Sequence, residues 1–172
     1  MPTFIAGLPL HPLVVHAVVI LVPLAVIAGI AVSVRPRWRE RFGWPVVALA
    51  VVATAAIPVA TSSGEDLRDR LTPSSLIAEH AELGDQLLAF MAPMTAVLAA
   101  LVLLDRRTRR AEGPGAMVRS IARWTRPATI VLTVAVIGLA VISAVQVVRI
   151  GDSGARAVWQ DTHYVAPTRH GD

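Results

Sequence analysis

"PLVVHAVVILVPLAVIAGIAVSVRPRWRERFG", residues 12–43, carries no acidic or basic residue from Pro12 to Val34 apart from His16, and then places Arg35, Arg37, Arg39 and Arg41 in quick succession. An α-helix rises about 1.5 Å per residue, so about 20 apolar residues cross the roughly 30 Å of hydrocarbon in a bilayer. The stretch therefore reads as a helix that spans a membrane and emerges among arginines. Three more runs of this kind follow, and the expected spans are about 12–34, 44–62, 85–104 and 127–149. The first lacks a basic leader, is too long for a signal core and ends in arginine instead of a small-residue cleavage site, so a retained helix is expected.

Composition agrees. Of 172 residues 55% are hydrophobic and 16% charged, which would leave a soluble domain of this size short of polar surface. All 16 basic residues are arginine, a bias read as genomic base composition and given no functional weight. The absence of cysteine excludes disulfides, thiolate metal sites, iron–sulfur clusters and covalent c-type haem attachment. The expected fold is all-α: a four-transmembrane-helix antiparallel bundle, one integral membrane domain over 1–172 with a short polar C-terminal tail.

Arginine in short loops marks the cytoplasmic side. "RPRWRERFG" (35–43) sets four arginines against Glu40, and "DRRTRRAEGPGAMVRSIARWTR" (105–126) sets seven arginines against Asp105 and Glu112. The segment 63–86 instead carries Glu65, Asp66, Asp69, Glu79, Glu82 and Asp85 against Arg68 and Arg70. Both termini are thus expected to be extracytoplasmic, in a multi-pass protein of the bacterial cytoplasmic (inner) membrane. Trp38, Trp44 and Trp124 fall near the inner boundary, and Trp159 and Tyr164 beyond the outer one, as aromatic belts do. The high isoelectric point is an orientation signal, and no nucleic-acid partner is implied.

All five histidines fall on the outer side: His11, His16, His80, His163 and His170. Pro12 suits a first helical position, which puts His11 at the cap. His16, five residues on, is rotated by roughly 140° and lies about 7.5 Å deeper, so these two cannot chelate one ion together. Ser74 or Ser75 offers an N-cap for the third helix, and His80 completes a stripe with Leu76, Ile77, Leu83 and Leu87, so it faces inward. Counted outward from Arg35 and Asp105, His11 and His80 come out level, with Glu65 or Asp66 of span two and Asp152 of span four at similar height.

Histidine inside an apolar bundle is a functional candidate, because an unpaired polar group there is costly. Two chemistries suit this layer. Imidazoles from facing helices, drawn from His11, His16 and His80, serve as axial ligands of a b-type haem for electron transfer, with Gly84 leaving room for the macrocycle. Alternatively His11 and His80, with one carboxylate from Glu65 or Asp66 and with Asp152, hold a divalent metal such as zinc. Against both stands the reading of interfacial histidines and solvated loop acids, in a cofactor-free accessory subunit that packs against a membrane protein partner or a second copy through small residues such as Gly29, Gly138 and Ser143. A proton relay through histidines and outer acids is a third reading.

"LHPLVVHAVVILVPLA" (10–25), "AEHAELGD" (78–85) and "RIGDSGARAVW" (149–159) resemble the bacterial membrane-protein family filed as domain of unknown function 2231, over most of the chain. The last stretch resembles its actinobacterial branch, in which histidine commonly precedes the Ser-Gly pair; here Asp152 stands there. If that position holds a ligand, imidazole has been exchanged for carboxylate. The resemblance implies a four-span fold with both ends outside and no particular activity. No Gly-x-Ser-x-Gly, His-Glu-x-x-His, phosphate loop or dinucleotide fingerprint is present, so no hydrolase or transferase is expected, and a redox subunit is the enzymatic role left open. "GDSGA" (151–155) matches a serine-protease nucleophile stretch by chance length alone.

Overall fold

The structure, a computed structural model, describes residues 4–5, 8–110 and 116–159. Four helices carry it: α1 (Leu10–Val34), α2 (Pro36–Arg68), α3 (Ser75–Arg110) and α4 (Ala116–Trp159), preceded by a short backbone pairing of Phe4–Ile5 with Leu8–Pro9. Each helix contains a stretch long and apolar enough to cross a membrane. α1 packs on α2 and α3 on α4, and the two hairpins close into a four-membered ring through α2–α3 and α1–α4.

The helices outrun the expected spans because their polar ends stay helical. The arginine-rich stretch after α1 is not a loop: Arg35 alone is extended (φ −117°, ψ 100°), Pro36 occupies the start of α2, and helix resumes at once. Pro23, Pro58 and Pro93 lie inside continuous helices. α3 begins where Ser74 caps it, its hydroxyl accepting from the Leu76 amide at 3.3 Å and its carbonyl from the Ala78 amide.

The core runs down the bundle axis through Val22, Ala25, Ala53, Met91, Met94 and Ala140. Between membrane helices, lipid tails are as apolar as leucine, so close packing of small residues replaces the hydrophobic drive. Gly43 shows the closeness: a Cβ there would lie 3.0 Å from the Val102 methyls.

The two ends of the bundle differ. At the arginine end Arg39 is buried and donates to the Ser33 carbonyl (2.9 Å) and to Asp105 (3.1 Å), tying α1, α2 and α3 together. Arg109 grips the other Asp105 oxygen at 2.9 Å and reaches Glu40 at 3.2 Å. The guanidinium of Arg35 stacks on Trp38, and that of Arg106 on Trp44. At the opposite end the histidines gather.

Candidate functional site

α1 starts at Leu10, two residues earlier than the sequence suggested, so His11 lies in its first turn and does not serve as its cap. Its ring is turned across to α2 instead. Nδ1 is 3.0 Å from the Ala60 carbonyl and 3.3 Å from Ser63 Oγ, while that hydroxyl donates to the same carbonyl at 2.9 Å. A carbonyl only accepts and the serine proton is already engaged, so the network assigns the proton to Nδ1. In the neutral ring the free lone pair is then on Nε2.

His80, on the α3 stripe that pointed inward, makes the same arrangement with α4. Nδ1 is 3.1 Å from the Ile150 carbonyl and 3.1 Å from Ser153 Oγ, and Ser153 donates to Ile150 at 2.9 Å. Each ring also rests on a glycine of the opposing helix. A Cβ at Gly64 would sit 2.9 Å from His11 Cε1, and one at Gly154 would sit 3.0 Å from His80 Cε1. Only a residue without a side chain lets helix and imidazole approach this closely.

The two half-buried rings lie with centres 6.4 Å apart and planes at 84°. They face a cleft of about 510 Å³ lined by all four helices, within the size range of small-molecule and cofactor sites. Its wall is mostly aliphatic, with Gly84, Gly151 and Thr61 among the small residues that keep it open.

The remaining candidates are placed differently. His16 lines the cleft, but from an exposed position, its Nδ1 bonded to the Pro12 carbonyl of its own helix. Glu65 is exposed at the cleft rim and Asp66 is half-buried. Asp152 is 65% exposed and paired with Arg156 at 2.9 Å. The expected layer of two imidazoles and two carboxylates therefore forms in its imidazole half: among the described residues no three histidine, aspartate or glutamate side chains come together as a metal-holding group. His163 and His170 lie outside the described residues.

Ser63, Gly64, Ser153 and Gly154 are the site residues that sequence reasoning passed over. Their signal was the Ser-Gly pair that ends both even-numbered spans. Ser153 is the serine of the protease-like "GDSGA", yet it is buried and its proton is committed to Ile150, which leaves no nucleophile. Gln146, buried between α3 and α4, donates to the Leu83 carbonyl at 2.8 Å and to Gln86 at 3.3 Å, securing the seam beneath His80.

Fold and site together define an integral membrane four-helix bundle with a paired-imidazole cleft at one end. The chain matches the family described as "Predicted membrane protein (DUF2231)" over residues 7–167, and belongs to it. No curated protein and no solved structure matches it.

Proposed function

We propose that this protein holds a b-type haem between His11 and His80 and passes single electrons near the outer face of a bacterial cytoplasmic membrane. The observation that carries the reading is the pair of imidazoles on separate helices, each with Nδ1–H tied to a backbone carbonyl and a serine. Histidines that bind metal commonly donate their other ring N–H in this way, which fixes the ring and raises the basicity of the ligating nitrogen.

The 6.4 Å between ring centres leaves room for one group held by both imidazoles, and His11 and His80 would be the residues that hold it. Bound there, haem would supply a one-electron couple whose potential the axial ligands and surroundings set. The chain's own contribution is to orient both imidazoles through their Nδ1 hydrogen bonds and to line the cleft with aliphatic side chains. His16, at the exposed wall, stands where a partner or solvent reaches the cleft. The outward placement of this end rests on the arginine asymmetry, which assigns both termini to the extracytoplasmic side.

Oxidised and reduced spectra of the purified protein test the proposal. A Soret band with split low-spin features is expected, with occupancy falling more than tenfold in His11→Ala and in His80→Ala but retained in His16→Ala. A protein with neither a Soret band nor a bound transition metal by elemental analysis refutes it, and stoichiometric co-purification with another membrane protein would then favour the accessory-subunit reading.

A further inference from the structure

The two halves of the site are too alike to be independent. His11 with Ala60, Ser63 and Gly64 on α1–α2 repeats as His80 with Ile150, Ser153 and Gly154 on α3–α4, with corresponding distances within 0.2 Å. The likeness extends through the packing. Moving from α1 to α3 at the separation of His11 from His80, buried residues fall on buried residues: Val18 on Leu87, Val22 on Met91, Ala25 on Met94 and Val32 on Leu101. From α2 to α4, at the separation of Ser63 from Ser153, Val46 falls on Val136, Ala50 on Ala140 and Ala53 on Ser143. The sequence carries a faint trace of this: "LAVVA" (49–53) and "LAVIS" (139–143) each precede a Ser-Gly pair by the same interval. The trace is faint because the two helix pairs are offset by different amounts and a simple shift of the chain aligns only one at a time.

We infer that the bundle is an internal twofold repeat of a two-helix unit, with its axis along the helices and between the two imidazoles, and that Ser63 and Ser153 are equivalent positioning residues, one per half. α1 and α3 run the same way, as do α2 and α4, so the repeats are parallel ones about an axis along the membrane normal. Each half supplies one carbonyl, one hydroxyl, one glycine and one Nε2 lone pair. The site therefore selects a ligand that accepts two equivalent nitrogen lone pairs at its centre: a Lewis-acidic ion, or a molecule with two hydrogen-bond donors. The symmetry is confined to this end and the core, since the Arg39–Asp105 pair at the other end has no counterpart: the matching positions are Thr129 and Pro36. This inference goes beyond the haem reading and stands on geometry that does not depend on which group is held.

The test is ¹⁵N NMR of histidine-labelled full-length protein in detergent, reduced if a chromophore is present, with His11 and His80 assigned from their alanine variants. Both rings are expected as the Nδ1–H tautomer. Ser63→Ala should move the signals of His11 alone and Ser153→Ala those of His80 alone, in the same direction and by amounts within about twofold of each other. An Nε2–H tautomer in either ring of the wild-type protein overturns the inference, even if neither serine variant folds, and so does a large shift from one serine with none from the other. The two readings fail separately: matched Nδ1–H rings in a protein without a Soret band sink only the haem, whereas a Soret band over unmatched rings sinks only the repeat.

Discussion

Gly64 and His11 show how much a single missing side chain decides. Adding a methyl to Gly64 puts it 2.9 Å from His11 Cε1, well inside van der Waals contact, so the ring must leave its place against Ala60 and Ser63. Gly64→Ala is expected to destabilise the protein by about 1–3 kcal/mol, the usual range for overpacking, and, under the proposed haem reading, to lower haem occupancy. At Gly138 nothing lies within 4 Å of an added Cβ, so Gly138→Ala should be neutral or stabilising by up to about 1 kcal/mol through helix propensity. Thermal unfolding of both variants in one detergent checks the contrast, and equal effects would contradict it. The same scale explains which site residues were legible. His80 was readable because it completes an apolar stripe. Ser153 was not, because its neighbour Asp152 looked the better ligand, and adjacent residues on a helix point about 100° apart. Moving one position along the chain turned the expected partner from the cleft toward Arg156.

Among the elements, α2 holds the larger surprise. Its first turns had read as a basic connection, and the pattern of arginines distinguishes neither helix from loop nor a solvated guanidinium from a buried one. Arg39 is 5% exposed and Asp105 13%, and together with the Ser33 carbonyl they join three helices at the arginine end. Removing one partner of a buried pair leaves an uncompensated charge, so Asp105→Ala is expected to cost about 3–5 kcal/mol. Glu40→Ala breaks only the pair with Arg109, in which the side chains are 59% and 40% exposed, and should cost less than about 1 kcal/mol. Denaturant titration of the two variants decides; comparable losses would mean that the buried pair contributes no more than the surface one.

At the scale of the whole molecule, the two ends must lie on opposite sides of a membrane, and the natural lack of cysteine makes this directly measurable. In cells, Thr72→Cys, in the exposed α2–α3 connection, is expected to react with a membrane-impermeant maleimide, while Arg107→Cys, at the exposed arginine end of α3, should react only after permeabilisation. The opposite pattern would invert the topology and put the imidazole pair inside. The four spans, their order and the charge asymmetry were determined by the sequence alone, because crossing hydrocarbon demands a run of apolar residues long enough to register locally, whatever the neighbours do. The level of His11 and His80 was also readable, since helical rise converts residue number into depth. What only the tertiary structure decided is which faces meet: rotation about each helix axis, and with it the choice of Ser63 and Ser153 over the nearby carboxylates, depends on packing between helices far apart in sequence. The twofold likeness of the halves belongs there too, because it resides in matched burial and hydrogen bonding that dissimilar side chains can satisfy equally well.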